Sequence, residues 1–170
     1  MYPERRPSEN GNDNAISRLN VALWFRLLFY ACLGVAAEIP FTAICAKLGL
    51  RLTPDLDDPE ARASWRLKGH SFVWMFPIYG LGLLAFEQVH DWLRPAPWAL
   101  RGAVYVAGLY ALELACGAML VSLTGAHVWR WRGRGSIRGH VHLAMAPVWF
   151  AAALALEPLH DYLVISRACS

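Results

Sequence analysis

Four glutamates stand inside long apolar stretches of a chain that is otherwise poor in charge. Charged residues make up 17% of the 170 residues, and hydrophobic residues make up 56%. Each stretch carries one glutamate, in the order Glu38, Glu87, Glu113 and Glu157. The second and fourth are followed at i+3 by a histidine, which gives Glu87-x-x-His90 and Glu157-x-x-His160. Because residues three apart share a helix face, each pair predicts a titratable site on one side of its helix.

The solvent around these acids decides what they do. A charge at the centre of a bilayer costs at least ~2.5–3.5 kcal/mol on insertion scales, so the glutamates are expected to face one another or a wet cavity. One interpretation is an ion, proton or substrate path along the helix interface. The other is protonated glutamates that form hydrogen bonds between helices. An imidazole titrates near pH ~6.5 in water, which suits the histidines to proton relay, unless they merely sit among the lipid headgroups.

A metal site is a further hypothesis for the same residues. The order Glu, Glu-x-x-His, Glu, Glu-x-x-His is the ligand set of di-iron carboxylate four-helix bundles, with Glu87 and His90, and Glu157 and His160, as chelating pairs. At 1.5 Å per residue, Glu38 lies about 18 Å into the membrane and Glu87 only about 9 Å from the same surface. This stagger argues against one shared site, so the main expectation is that the protein holds no cofactor. It predicts instead a layer of Glu87, His90, Asp91, Glu157, His160 and Asp161 near one surface, and a deeper layer of Glu38 and Glu113.

Four apolar segments of about 22 to 24 residues must position these groups: residues 27–48, 71–93, 102–125 and 141–164. Each is long enough for a helix that crosses the ~30 Å hydrocarbon layer, and the third has no polar stripe of the kind a soluble amphipathic helix shows. The sequence therefore predicts an all-α membrane protein with four transmembrane helices. Residues 1–20 are predicted to form a polar tail, residues 21–165 the membrane domain, and residues 51–69 a short interfacial helix with Trp65 among the headgroups.

The chain also repeats itself. Residues 69–93 match residues 139–163 at ten of 25 positions without a gap, including the Glu-x-x-His-Asp unit. The first and third segments match more weakly at an offset of 75, in the pairs Arg26/Arg101, Tyr30/Tyr105 and Glu38/Glu113. The two tyrosines are expected to pack or to hydrogen-bond a glutamate on a neighbouring helix. These matches predict two tandem hairpins, residues 27–93 and 102–164, in a parallel repeat with sites at the interface of its halves.

Several motifs resemble the CmpB-like type IV ABC-transporter family of membrane proteins, which includes the transmembrane protein 229 group. They are Phe76-Pro77-Ile78-Tyr79-Gly80 followed by Glu87, Arg101 with Tyr105 before Glu113, and Ile137-x-Gly139-x3-Leu143-x3-Pro147-x-Trp149 followed by Glu157. The family's Trp-Asp-Tyr loop reads Trp129-Arg130-Trp131 here. The resemblance implies a small multi-pass transport component. Because no G-x-x-x-x-G-K-[ST] motif is present, an ABC-type activity would need a separate ATPase subunit.

Three functions remain open from the sequence. The first is a transport or permease-like component whose path is lined by Glu38, Glu87, Glu113, Glu157, His90 and His160. The second is a membrane-embedded lipid-modifying enzyme that uses the Glu-x-x-His layer as an acid–base or metal site, and the third is a scaffold subunit without chemistry.

The expected location is a cell or inner membrane, and the expected partners are the bilayer and a second copy of the chain or an ATPase. The arginines of residues 130–138 are expected to meet anionic lipid rather than nucleic acid. Seven Lys/Arg on one side against nine on the other leave the orientation unresolved.

Overall fold

The computed structural model describes residues 9–48, 65 and 67–168, with side chains described within 22–48, 65 and 67–163. Its helices are α1 (Glu9–Lys47), α2 (Met75–Leu93), α3 (Trp98–Thr124) and α4 (Ala146–Ala168). The described residues are mostly helical, which fits the predicted all-α class. Residues 1–8 of the predicted tail, and most of the predicted interfacial helix, lie outside the described residues.

Within the residues that the structure describes, three helices are long and apolar enough to cross a membrane. The three segments are Ala22–Lys47, Trp98–Thr124 and Leu143–Leu163. By length and composition, the chain is therefore an integral membrane protein. The sequence predicts a fourth span, but α2 is not among these segments, because its last two turns carry Glu87, His90 and Asp91.

Two helix boundaries differ from the predicted ones. Helix α1 begins at Glu9, so it takes in most of the predicted polar tail. Extending an existing helix costs less than nucleating one, and the apolar segment that follows supplies the nucleus. Helix α4 begins only at Ala146, because Val141–His142 forms strand β2, which pairs antiparallel with β1 (Ser136–Ile137) and is followed by a 3-10 turn at Leu143–Met145.

Helix packing follows chain order. Helix α1 packs on α2, α3 packs on α4, and a smaller contact joins α2 to α3. The first pair approaches closely at a glycine: a Cβ on Gly80 would lie 2.9 Å from the backbone oxygen of Leu27. Small residues allow this approach between membrane helices. The backbones of α1 and α2 are thus close enough for side chains on the two helices to form direct hydrogen bonds.

A tight link joins α2 to α3. The Leu100 and Arg101 amides both donate to the Pro97 carbonyl at 3.0 Å, which starts α3 immediately after the proline. The Arg101 guanidinium also donates from Nη1 to the Ala96 carbonyl at 2.9 Å. The first turn of α3 therefore lies beside the end of α2, where the Glu-x-x-His pair of α2 is found.

Candidate functional site

The first half of the site joins α1 to α2 around one buried carboxylate. Glu87 is 1% exposed, and its Oε1 accepts a hydrogen bond of 2.6 Å from the Tyr30 hydroxyl. Arg26 Nη1 lies 3.0 Å from Glu87 Oε2. Burial of a carboxylate is costly unless a cation and hydrogen bonds compensate it, and here α1 supplies both.

The second half joins α3 to α4 in the same way. The Tyr105 hydroxyl donates to Glu157 Oε1 at 2.9 Å. Arg101 donates from Nε to Glu157 Oε1 and from Nη2 to Oε2, both at 2.7 Å. This two-pronged contact is the strong geometry of an arginine–carboxylate pair. The arginine, tyrosine and glutamate each correspond to those of the first half at the offsets found in the sequence.

The histidine of α2 faces the second half of the site rather than the glutamate on its own helix. His90 Nδ1 lies 3.0 Å from the Tyr105 hydroxyl and 3.6 Å from Glu157 Oε1. Its Nε2 lies 3.3 Å from Asp161 Oδ1. The ring of His90 therefore contacts side chains from both helices of the other hairpin.

The histidine of α4 makes the reciprocal contacts. His160 Nδ1 lies 3.5 Å from Glu87 Oε1, and its Nε2 lies 3.5 Å from Asp91 Oδ1. Both ring nitrogens are buried without a hydrogen bond of normal geometry to any described residue. The rings of His90 and His160 meet edge to face, with centroids 5.2 Å apart. We call the residues Arg26, Tyr30, Glu87, His90, Asp91, Arg94, Arg101, Tyr105, Glu157, His160 and Asp161 the paired-histidine cluster.

Arg94 closes the cluster at its water-facing end. Its guanidinium hydrogen-bonds to Asp161, and its Nε donates to Asp91 Oδ1 at 3.1 Å. These hydrogen bonds, the one to Asp161 first, raise the pKa of Arg94 above its ordinary value. Asp91 is 54% exposed, while His90 and His160 are 3% and 2% exposed. Water therefore reaches the aspartates, while the imidazoles lie behind them.

Formal charges within the cluster nearly cancel. Four carboxylates (Glu87, Asp91, Glu157 and Asp161) face three guanidiniums (Arg26, Arg94 and Arg101). With both imidazoles neutral, four negative and three positive charges leave a net charge of −1. One proton on either histidine brings the cluster to zero, and two protons make it +1.

The other two glutamates lie together in a second place. Ser71 Oγ donates to Glu38 Oε2, and the Tyr79 hydroxyl also hydrogen-bonds to Glu38. Glu113 interacts electrostatically with Glu38 and Tyr79, and its buried Oε2 has no hydrogen-bond partner among the described residues. Glu38 follows Tyr30 by eight residues, so this group lies about 12 Å along α1 from the paired-histidine cluster.

The four glutamates thus form two groups, and each member of the outer group forms an ion pair with an arginine. Among the described residues, His90, His160 and Asp161 could together hold a metal ion, because one ligand atom of each lies within 4.8 Å of the other two. A metal on Glu87, His90, Glu157 and His160 stays a prediction.

Sequence reasoning missed two features of the site. Arg94 sits in a short proline-containing link and carries no motif, so nothing in the sequence marked it. The exchange of histidines between the hairpins was also missed, because the i+3 spacing pointed to the glutamate on the same helix. The sequence signal for the groups that bind Glu87 and Glu157 was the recurrence of the pairs Arg26/Arg101 and Tyr30/Tyr105 in the duplication.

Comparisons with protein-family models, with curated proteins and with solved structures give no match. The resemblance to the CmpB-like family therefore stays an expectation from the motifs.

Proposed function

We propose that this chain is a four-span membrane protein and a transport component that takes up one proton at its paired histidines. The observation that carries the proposal is the exchange of imidazoles between the two hairpins. His90 contacts the acids of the second hairpin, and His160 contacts those of the first. Protonating either ring therefore strengthens contacts across the interface of the halves.

The contacts of α2 support its role as the fourth span. Its polar side chains Glu87 and His90 are buried against the other helices, and the exposed residues of its apolar part include Leu81. A helix with inward polar groups and an outward apolar face suits a bilayer despite a lower mean hydropathy. The correspondence of Arg26, Tyr30 and Glu87 with Arg101, Tyr105 and Glu157 supports two tandem hairpins related by an axis between the rings.

A path through the protein would connect the two groups of acids. The outer end is the exposed Asp91–Arg94–Asp161 contact, the middle is the imidazole pair, and the deeper group is Glu38 with Tyr79 and Glu113. Carboxyls and hydroxyls at these positions both donate and accept protons. Rearrangement of the two hairpins against each other would change which side of the membrane reaches the acids, as in transporters built from repeats.

Proton flux into liposomes tests this function. Purified protein is reconstituted with a pH-sensitive dye inside, and a potassium diffusion potential drives protons inward. We expect protein-dependent acidification, which H90Q and H160Q each lower about tenfold or more, since loss of a positioned proton carrier typically costs 10²–10⁴-fold. E38Q and E113Q are expected to lower it as well.

His127→Gln is the matched control, because His127 is an exposed histidine in the α3–α4 loop. It should leave the flux unchanged. No protein-dependent flux, or equal loss in H127Q and H90Q, contradicts the proposal. Normal folding together with no flux in any variant would favour a scaffold subunit instead.

A membrane-embedded metalloenzyme acting on lipid is the second candidate, and the clustering of His90, His160 and Asp161 favours it. Two imidazoles and a carboxylate suit zinc or iron(II), and an open fourth position would activate water. Metal analysis of protein purified without chelator tests it. A stoichiometric metal that is lost in H160Q supports this candidate, and less than a tenth of an equivalent of iron, zinc or manganese removes it.

The small size of the protein bears on the partners that we expect for it. Four helices enclose little volume, so we expect a second copy of the chain, or a separate ATPase subunit, to complete a transport path in a cell or inner membrane. Mass measurement of the detergent-purified complex tests this, and a strict monomer with full flux would contradict it.

A further inference from the structure

A basic pocket lies in the loop between α3 and α4. Three arginines, Arg130, Arg132 and Arg138, line it together with Trp131 and Ser136, and its volume is about 320 Å3. We call it the arginine pocket. Helix α3 has 27 residues and thus spans about 40 Å, with Arg101 near its start, so the arginine pocket and the paired-histidine cluster lie at opposite ends of α3.

Hydrogen bonds hold the pocket's shape. The Trp131 amide donates to the Gly139 carbonyl at 2.8 Å, and Ser136 Oγ donates to the Trp131 carbonyl at 2.9 Å. Gly139 has φ of +77°, a left-handed conformation that glycine adopts without strain. Behind the pocket, buried Trp129 donates from Nε1 to the His140 carbonyl at 3.0 Å. The loop is therefore built around the arginines.

The arginines of this loop lack the acidic partners that the arginines of the paired-histidine cluster have. No Asp or Glu occurs in the sequence between Glu113 and Glu157. Within the described residues, none of the arginines at 130, 132, 134 and 138 forms an ion pair, whereas Arg26, Arg94 and Arg101 all do. Four uncompensated guanidiniums in nine residues make this the most strongly basic segment of the chain.

A second donor in the pocket wall is also unpaired. The Nε1–H of Trp131 is buried and has no acceptor among the described residues. This atom is closed off from solvent, so Trp131 serves the arginine pocket as part of its wall, and the arginines carry the binding.

We propose that the arginine pocket binds the phosphate group of an anionic phospholipid. Guanidinium groups bind phosphate through paired hydrogen bonds, and the glycine-rich backbone leaves room for its oxygens. The pocket adjoins the ends of the segments Trp98–Thr124 and Leu143–Leu163, where tryptophans and basic residues meet the headgroups. This proposal is independent of proton uptake at the histidines.

Native mass spectrometry of the full chain in a non-ionic detergent tests the proposal. Dioctanoyl phosphatidylglycerol, dioctanoyl phosphatidylcholine and inorganic phosphate serve as probes. We expect one tightly bound phosphatidylglycerol, with an affinity at least about tenfold above that of phosphatidylcholine, and no displacement by equimolar inorganic phosphate. R130Q and R132Q should each weaken phosphatidylglycerol binding by about tenfold, the scale of a lost charge-assisted hydrogen bond.

Arg134→Gln is the matched control, because Arg134 carries the same charge in the same loop but does not line the pocket. It should change the affinity less than about twofold. R130K, which keeps the charge but loses the planar fork, should weaken binding several-fold, and it keeps the test open if R130Q does not fold. Equal loss in R134Q, equal affinity for the two lipids, or displacement by equimolar phosphate would each overturn the proposal.

Discussion

Replacing Arg101 with glutamine leaves a buried carboxylate without its cation. Glu157 is 9% exposed, and Arg101 holds it with two hydrogen bonds of 2.7 Å. Removing one partner of a fully buried pair costs about 3–5 kcal/mol. Because the Arg101 side chain is 20% exposed, water compensates part of this, and we expect R101Q to destabilise the protein by about 2–3 kcal/mol.

Replacing Glu157 instead of Arg101 should destabilise the protein less. In E157Q the guanidinium still reaches water, and the glutamine still accepts from the Tyr105 hydroxyl, so the expected loss is about 1 kcal/mol. In the double variant neither charge is left alone, so the two losses should not add. The coupling energy from the double-mutant cycle is expected to be about 1.5–3 kcal/mol, the worth of hydrogen bonds between charged groups.

Thermal unfolding in detergent, followed by circular dichroism, is the assay. At ~2–4 °C per kcal/mol for a chain of this size, R101Q should lower the midpoint by roughly 4–12 °C and E157Q by roughly half of the R101Q shift or less. A coupling energy below about 0.5 kcal/mol would refute the reasoning, because it would mean that the pair is solvated as a surface salt bridge is.

Three further predictions concern other contacts. Tyr30→Phe removes one hydrogen bond to a buried carboxylate and should cost about 1.5–3 kcal/mol in chemical unfolding; a loss below 0.5 kcal/mol would mean that the carboxylate finds another donor. Gly80→Leu should disrupt the α1–α2 contact, whereas Gly108→Leu, which meets nothing within 4 Å, should be neutral; equal effects on the thermal midpoint would contradict the close approach. Burial lowers the pKa of His140, helped by the charges of His127 and Arg138. The unfolded chain then binds the proton more readily, so the stabilisation by His140 is full above pH ~6.5 and falls as the pH drops below it. The midpoint difference between the wild type and H140Q should therefore shrink from pH 7.5 to pH 5.5, and a constant difference would count against it.

The sequence was most informative where a residue stood out from its surroundings. A lone glutamate in an apolar stretch must be compensated, and Tyr30 and Tyr105 were expected as hydrogen-bond partners, whereas Arg26 and Arg101 were noted only as a recurring pair. Counting residues from the segment ends also separated Glu38 from Glu87. The structure has Glu38 with Ser71 and Tyr79 instead of with His90 or His160.

Other features depend on packing that local patterns do not encode. Spacing along one helix gives no sign of which neighbouring helix each of its faces meets. The contact of His90 on α2 with Asp161 on α4 was therefore not predictable from spacing. Arg94 joins the cluster only because the link after α2 places it beside α4. Val141 and His142 directly precede the apolar segment and were predicted to belong to its helix, but the left-handed turn at Gly139 lets them pair with β1 instead.

Counting protons on the paired histidines tests the central claim most directly. Nitrogen-15 NMR of histidine-labelled protein in lipid nanodiscs distinguishes neutral from protonated imidazole rings, and H90Q and H160Q assign the two signals. The account predicts one protonated imidazole for the pair of His90 and His160, and the loss of this signal in both H90Q and H160Q. Two fully neutral rings, or two fully protonated ones, would contradict it.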